Sequence, residues 1–300
     1  MYNYLNNPLI VKYQKEFNSG AEYTDLSKLF KIEKSQFLFH ITLQSKKNEK
    51  KFNYFGKEII IPDYLLNNYS LKKKVYQYFY SLILEYKIKD CSVLINLLDD
   101  ISYINLKNKK IINEMYINLE EPENVILKKF AQRHRTMLNK NYDDINYETI
   151  DHANYSGQIT EMKKMHIEIS QKESRSNETW NINEQMIKNN NGFLIKINNK
   201  HKCIGYYFFF YDNLTAVYFS SVTYREYFKI YKNLGHKAIW NAVIYSKKKS
   251  QYFFLGWENL NEPETDKEKN ITLFKKGFCG FKKKSMILEN NEDFINFIKN

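Results

Sequence analysis

Residues 193–222 read FLIKINNKHKCIGYYFFFYDNLTAVYFSSV. Three runs, FLIKIN (193–198), CIGYYFFFY (203–211) and LTAVYFSSV (214–222), are dense in β-branched and aromatic residues, and the NNKH at 198–201 and DN at 212–213 are turn formers. That spacing predicts a meander of three antiparallel strands. Upstream, INYETI (145–150) reads as a strand, SGQITEMKKMHIEIS (156–170) as a helix and INEQMIKN (182–189) as a short helix. Downstream, a polar stretch leads into helix GHKAIWNAVIYSKK (235–248). Strand QYFFLG (251–256), helix KEKNITLFKK (267–276), strand KSMIL (284–288) and helix NEDFINFIK (291–299) follow. The order is β-α-α-β-β-β-α-β-α-β.

The first half is also strand-rich. FLFHITL (37–43), EIII (58–61), SVLINL (92–97) and IINEMYINL (111–119) read as strands. Helix 71–88 places Val75, Phe79, Leu82, Ile83 and Tyr86 on one face, with Ser70 in the N-cap position. A further helix, about 123–140, opens after Pro122 and sets Ile126, Phe130, Met137 and Leu138 against a basic face. The expected organisation is an N-terminal domain over 1–122, a connecting helix over 123–144 and a C-terminal domain over 145–300. Three hundred residues suit two domains of about 150 each.

A hydrophobic fraction of 43% with 16% aromatic residues predicts a folded chain. The cysteines are Cys91, Cys203 and Cys279, odd in number and widely spaced, so they form neither a disulfide framework nor a zinc motif; a reducing cytoplasm fits them. No HxxxH or carboxylate cluster points to a metal, and no Walker loop or GxGxxG to nucleotide hydrolysis. No run of 18 apolar residues predicts a membrane span, which leaves at most a peripheral membrane contact. A net charge of +12 predicts an anionic partner without saying which.

Three antiparallel strands, then a helix and a further strand, resemble the GCN5-related N-acyltransferase (GNAT) layout. The spaced elements LGH-x-x-x-W (234–240), FxLG (253–256), T-x-KE-x-NI (265–271) and FKxGFxGF (274–281), with ESRSNETW (173–180), NGFLI (191–195) and AVYFSSV (216–222) upstream, resemble the C-terminal half of FemAB-like acyltransferases. The resemblance covers about 125 residues. It implies an α+β fold of two GNAT-like domains in tandem, each a mixed, mostly antiparallel sheet flanked by helices, the first a degenerate copy.

The implied activity is transfer of an acyl or aminoacyl group to an amine, on an amino sugar or a peptidoglycan-type, cell-envelope or surface-glycan precursor. The implied donor is acyl-CoA such as acetyl-CoA, or aminoacyl-tRNA as in Fem-type ligases. A non-catalytic GNAT-like module that binds an anionic glycan or RNA is the reading from a different class.

Mapped onto this sequence, the donor enters between LTAVYFSSV and QYFFLG. Free N–H groups at the helix start, around Leu234 and Gly235, are placed to receive an anion. Ser220 and Ser221 are candidates to bind the donor and Tyr218 to act in catalysis. By resemblance Phe274 and Lys275 lie beside the reactive ester or thioester, where lysine can hold a phosphate or a developing oxyanion. Gly277 and Gly280 serve either a close backbone approach or a helix C-cap. His236, at a helix start that keeps it neutral, is either a base or a packing residue. Glu258 is a second base candidate or a solvated carboxylate. Arg175, Glu178 and Trp180 fall where GNAT-type folds shape the acceptor site.

Overall fold

The computed structural model describes residues 109–200, 202–260 and 265–288. Earlier in the chain it describes 9, 12, 13, 16, 22–26, 28–32, 35–39, 42–46, 49–52, 58–59, 69–88 and 93–96. The first strands form two small sheets. Strands β1 (Glu22–Asp25), β4 (Thr42–Lys46) and β5 (Glu49–Phe52) make one, and β2 (Lys28–Ile32) and β3 (Ser35–Phe39) make the other.

Among the described residues nine further strands share one sheet. They are β6 (Glu58–Ile59), β7 (Val93–Asn96), β8 (Lys109–Asn118), β9 (Ile145–Ile150), β10 (Gly192–Asn199), β11 (Lys202–Tyr211), β12 (Thr215–Thr223), β13 (Tyr252–Asn259) and β14 (Phe281–Leu288). Their order is β6-β7-β14-β8-β13-β12-β11-β10-β9. Two contacts are parallel, β6 with β7 and β12 with β13; the others are antiparallel.

The pair β8/β14 is flanked on each side by one antiparallel strand and then a parallel partner, so the pattern repeats about that pair. Each half of the chain lends its last strand to the other: β8 lies against β13, and β14 lies against β7. The α+β architecture of two units in tandem is therefore present, with the units sharing one sheet across the connection at 123–144.

Helices cover both faces. Helix α1 (Tyr69–Tyr86) joins β6 to β7, and α2 (Glu123–Lys129) and α3 (Gln132–Leu138) make the connection. Helices α4 (Gln158–Ser170) and α5 (Asn177–Lys188) follow β9; α6 (Arg225–Ile230) and α7 (Leu234–Ser246) follow β12; α8 (Asp266–Lys276) follows β13. One core packs α2 and α7 on the sheet through Ile126, Phe130, Leu234, Ile239, Phe209 and Phe253. The other packs α4 and α5 through Ile159, Met162, Trp180, Met186, Phe208 and Phe254. Each such fully buried side chain contributes about 1.5–3 kcal/mol relative to exposure.

Several boundaries differ from the sequence expectation. The helix expected over 123–140 breaks because Phe130 and Ala131 are extended. Phe130 turns inward, edge-on to Trp240 and Phe278, and cannot do so from a continuous helix. Ser70 lies inside α1, so it is not its N-cap. The helix expected at 182 begins at Asn177, where Ser176 caps it by accepting the Thr179 N–H. The polar stretch after β12 contains α6. On α1, Val75, Phe79, Leu82 and Ile83 are buried as expected, and Tyr86 is half-buried. Residues 60–61 and 291–299, Cys91 and the ends of some first-half strands lie outside the described residues.

Candidate active site

Parallel pairing of β12 with β13 begins at Thr215↔Tyr252 and ends at Val217↔Phe254. Beyond that level both strands carry a bulge on their other side. Phe219 is the extra residue against β11, and Leu255 is the extra residue against β8. A bulge bends its strand. Two bulges at the same height, one in each strand, swing β12 and β13 apart and leave a gap whose backbone groups are not used by pairing across it.

Gly256 stands at the mouth of this gap with φ +109°, a conformation glycine adopts without steric cost. Lys275 reaches over it from α8; a Cβ on Gly256 would come within 2.6 Å of the Lys275 ammonium. That ammonium is 5.9 Å from the centre of the Tyr218 ring and, among the described residues, has no hydrogen bond or ion pair. Burial lowers its pKa. Tyr218 and Ser221 share a 2.7 Å hydrogen bond between their hydroxyls. Burial raises the Tyr218 pKa, so the phenol stays protonated. The Ser220 hydroxyl is buried without a partner. By register Ser220 faces the α4/α5 side, opposite Tyr218.

The start of α7 is closed by the protein's own groups. Leu234 and Gly235 are buried. The Asn233 side chain donates to the carbonyls of Met137 (3.2 Å) and Lys140 (2.7 Å) at the end of α3. Phe274 covers Gly235, where a Cβ would lie 3.3 Å from the ring. His236 packs edge-on against His134 and Phe274, with ring centres 4.6 and 5.1 Å away. Burial, His134 and Arg133 lower its pKa to about 4. Phe274 is thus a plug over the helix start, while the neighbouring Lys275 points into the gap.

Glu258 accepts from Lys276 at 2.6 Å and Lys282 at 2.8 Å, and from Asn113 at 3.4 Å. Burial raises its pKa, but these contacts outweigh that and hold it at about 2. Such a carboxylate is a poor proton acceptor at neutral pH, and its position is that of a bridge between β13, α8 and β14.

The three candidate acceptor residues lie on the opposite face of the sheet. Trp180 is buried in the α4/α5 core, and Glu178 pairs with Lys12 at 2.7 Å. The Arg175 guanidinium stacks over Trp180 at 5.3 Å, and its Nη1 is buried without a partner. Arg175 thus keeps a buried donor without a partner.

Sequence reasoning missed His134. Its Nε2–H donates to the Phe274 carbonyl at 2.9 Å, and its ring fills the space above Gly277, where a Cβ would come within 2.0 Å. Gly277 ends α8 at φ −66°, an ordinary helical angle, so this close approach, rather than a left-handed cap, is what requires glycine there. Among the described residues no group of three His, Cys, Asp or Glu side chains is placed to hold a metal ion, and no helix is long and apolar enough to cross a membrane.

No family model and no curated protein matches the sequence. Solved structures match the fold. FemX superposes with a TM-score of 0.60 at 10% identity, covering 93% of this chain and 91% of its own. L-PGS from Bacillus licheniformis gives 0.52 at 10% identity over 91% of this chain and 88% of its own. The C-terminal domain of a putative lysylphosphatidylglycerol synthetase from Agrobacterium fabrum gives 0.52 at 8% identity over 91% and 87%. The chain therefore has the FemAB-like, GNAT-type fold over nearly its whole length.

Proposed function

We propose that the chain is a transferase that passes an acyl or aminoacyl group directly to an amine in the gap between β12 and β13. The observation that carries this reading is the half-buried, unpaired ammonium of Lys275, held over Gly256 and beside Tyr218 where the two strands part. A cation fixed in a partly dry cleft stabilises the oxyanion that develops as the amine attacks a carbonyl. Backbone N–H groups on the unpaired stretch of β12 can share that charge. Tyr218, kept protonated and linked to Ser221, can give a proton to the leaving oxygen or sulfur, while the proton shed by the attacking amine passes to solvent, from which the phenol recovers its own. Holding both substrates together supplies the rest, and no residue need be acylated.

The closed start of α7 favours an aminoacyl ester over a CoA thioester. By the resemblance a CoA pyrophosphate would approach this helix start, which Phe274 covers and where Asn233 is tied to the end of α3. The charge of +12 suits a tRNA-borne donor. The acceptor amine then approaches from the Arg175 face, and an amino-sugar or cell-envelope precursor is the acceptor class that the resemblance supplies.

The test is binding and transfer with two donors, acetyl-CoA and a mixture of charged tRNAs, using wild-type protein and Lys275→Ala. Charged tRNA is expected to bind the wild type, and its amino acid to move to an amine only when Lys275 is present. Saturable acetyl-CoA binding weakened in the variant would reverse the donor assignment. RNA binding without transfer to any amine would leave the non-catalytic module.

A further inference from the structure

Helix α8 carries Lys275 in its last turn, one residue before its end, so the direction of that side chain depends on how the end is fixed. Five carbonyls close the last turn. Those of Leu273, Lys275 and Lys276 accept from the following backbone N–H groups of Gly277, Phe278 and Cys279. The other two are taken by the connection between the two halves of the chain. Ala131 N–H donates to the Gly277 carbonyl at 2.8 Å, and His134 Nε2–H donates to the Phe274 carbonyl at 2.9 Å.

The His134 ring also lies against Gly277 and Phe278, with ring centres 4.5 Å apart in the latter pair. No bond from the described residues holds the Lys275 head itself, so its position is set by backbone and packing alone. The break at Phe130–Ala131 acquires a purpose here. It frees the Ala131 N–H and turns His134 toward α8.

We propose that His134 is a positioning residue for Lys275, gripping the end of α8 from the connection so that the ammonium lies over Gly256 in the gap. The role of Lys275 rests on the proposed function; the grip on it does not. Because Nε2 carries the donated proton, the neutral ring leaves Nδ1 bare, and Nδ1 is buried without a partner. Protonating it would place a charge beside His236 on α7 and Arg133 on its own helix, and α8 presents only backbone and Phe rings to it. The grip is thus built for the neutral ring.

The experiment reads Lys275 without any donor or acceptor. Full-length protein is acetylated with N-hydroxysuccinimide acetate across a pH series, and the rate at Lys275 is followed by mass spectrometry with exposed Lys248 as internal reference. In the wild type the reactivity midpoint of Lys275 should lie below the ordinary lysine range, since burial lowers its pKa. His134→Phe keeps a ring over Gly277 but removes the donor. Ala131→Pro removes the other donor at a backbone angle, φ −55°, that proline accepts.

Both variants should move the Lys275 midpoint up toward the ordinary lysine range, while His134→Gln, which retains an N–H, should keep the wild-type midpoint. Unchanged midpoints in folded His134→Phe and Ala131→Pro would overturn the proposal, as would a Gln variant that behaves like Phe. If His134→Phe does not melt cooperatively, Ala131→Pro and His134→Gln decide. A shifted midpoint together with transfer that survives Lys275→Met would keep the grip and remove the proposed function.

Discussion

The parallel pair β6/β7 and the parallel pair β12/β13 occupy equivalent places on either side of β8/β14, and each is connected through helix, α1 in one case and α6 with α7 in the other. The connections that follow them differ. From β7 to β8 the chain has residues 97–108, LLDDISYINLKN, without a Phe-Lys pair. From β13 to β14 it has residues 260–280, which hold α8, Lys275 and Gly277. One layout is used twice, and the residues of the proposed site belong to the second connection, so the repeat accounts for the sheet and not for that site.

The largest effect should come from removing what the halves share. Ending the chain after Gly280 deletes β14, which pairs with β8 over eight residues and with β7 over four. Loss of a strand from the middle of a sheet exposes two ladders at once. The truncated protein should lose its cooperative thermal transition by circular dichroism. A sharp transition retained near the wild-type temperature would break the comparison, because the halves would then be independent.

Next comes Lys275→Met, which separates chemistry from stability. Removing one preorganised oxyanion donor lowers turnover by about 10²–10³-fold. Deleting a half-buried, unpaired charge should leave the melting temperature unchanged or raise it. Opposite signs for activity and stability at one residue would mark the second half as carrying a cost that the first half lacks. A fall in both would make Lys275 a structural residue.

Gly277→Ala tests packing in the same segment. A methyl within 2.0 Å of the His134 ring must displace it, whereas one on Gly280 would meet the Tyr116 carbonyl at 3.3 Å and need only a small adjustment. The first substitution should cost about 1–3 kcal/mol, by denaturant titration, and the second clearly less. Equal costs would show that the glycines serve backbone conformation and not the approach of His134.

Much of this was legible in the sequence. The meander at 193–222 and the helices around it follow from local pattern, because turn residues and apolar periodicity act within a few positions. The Phe274-Lys275 pair was singled out by its motif. Thr265-x-x-Glu268 is a capping box whose two reciprocal bonds form at the start of α8, and its spacing alone could have placed that helix start.

Other features depend on residues distant in the chain. The exchange of β8 and β14 has no local sign. The closing of α7's start needs Phe274, Asn233 and the end of α3 to meet, so a free helix end was the natural reading of Leu234 and Gly235. His134 looked like one more member of a basic face. Only the inward turn of Phe130, which the apolar face itself hinted at, would have directed attention to it.

Glu258 gives the smallest effect and the finest distinction. Its folded pKa of about 2 lies below the ordinary 4.5, so its ion pairs contribute stability that is present above about pH 4.5 and lost as pH falls through about 2. The lysine partners are more than a third exposed, which limits the contribution to about 0–1 kcal/mol for each pair. Glu258→Gln should therefore lower the melting temperature slightly at neutral pH and hardly at all at pH 2. As a bridge rather than a base, it should reduce transfer by less than about tenfold and leave the acid limb of the pH–rate profile in place. A larger loss that also shifts that limb would return Glu258 to the chemistry.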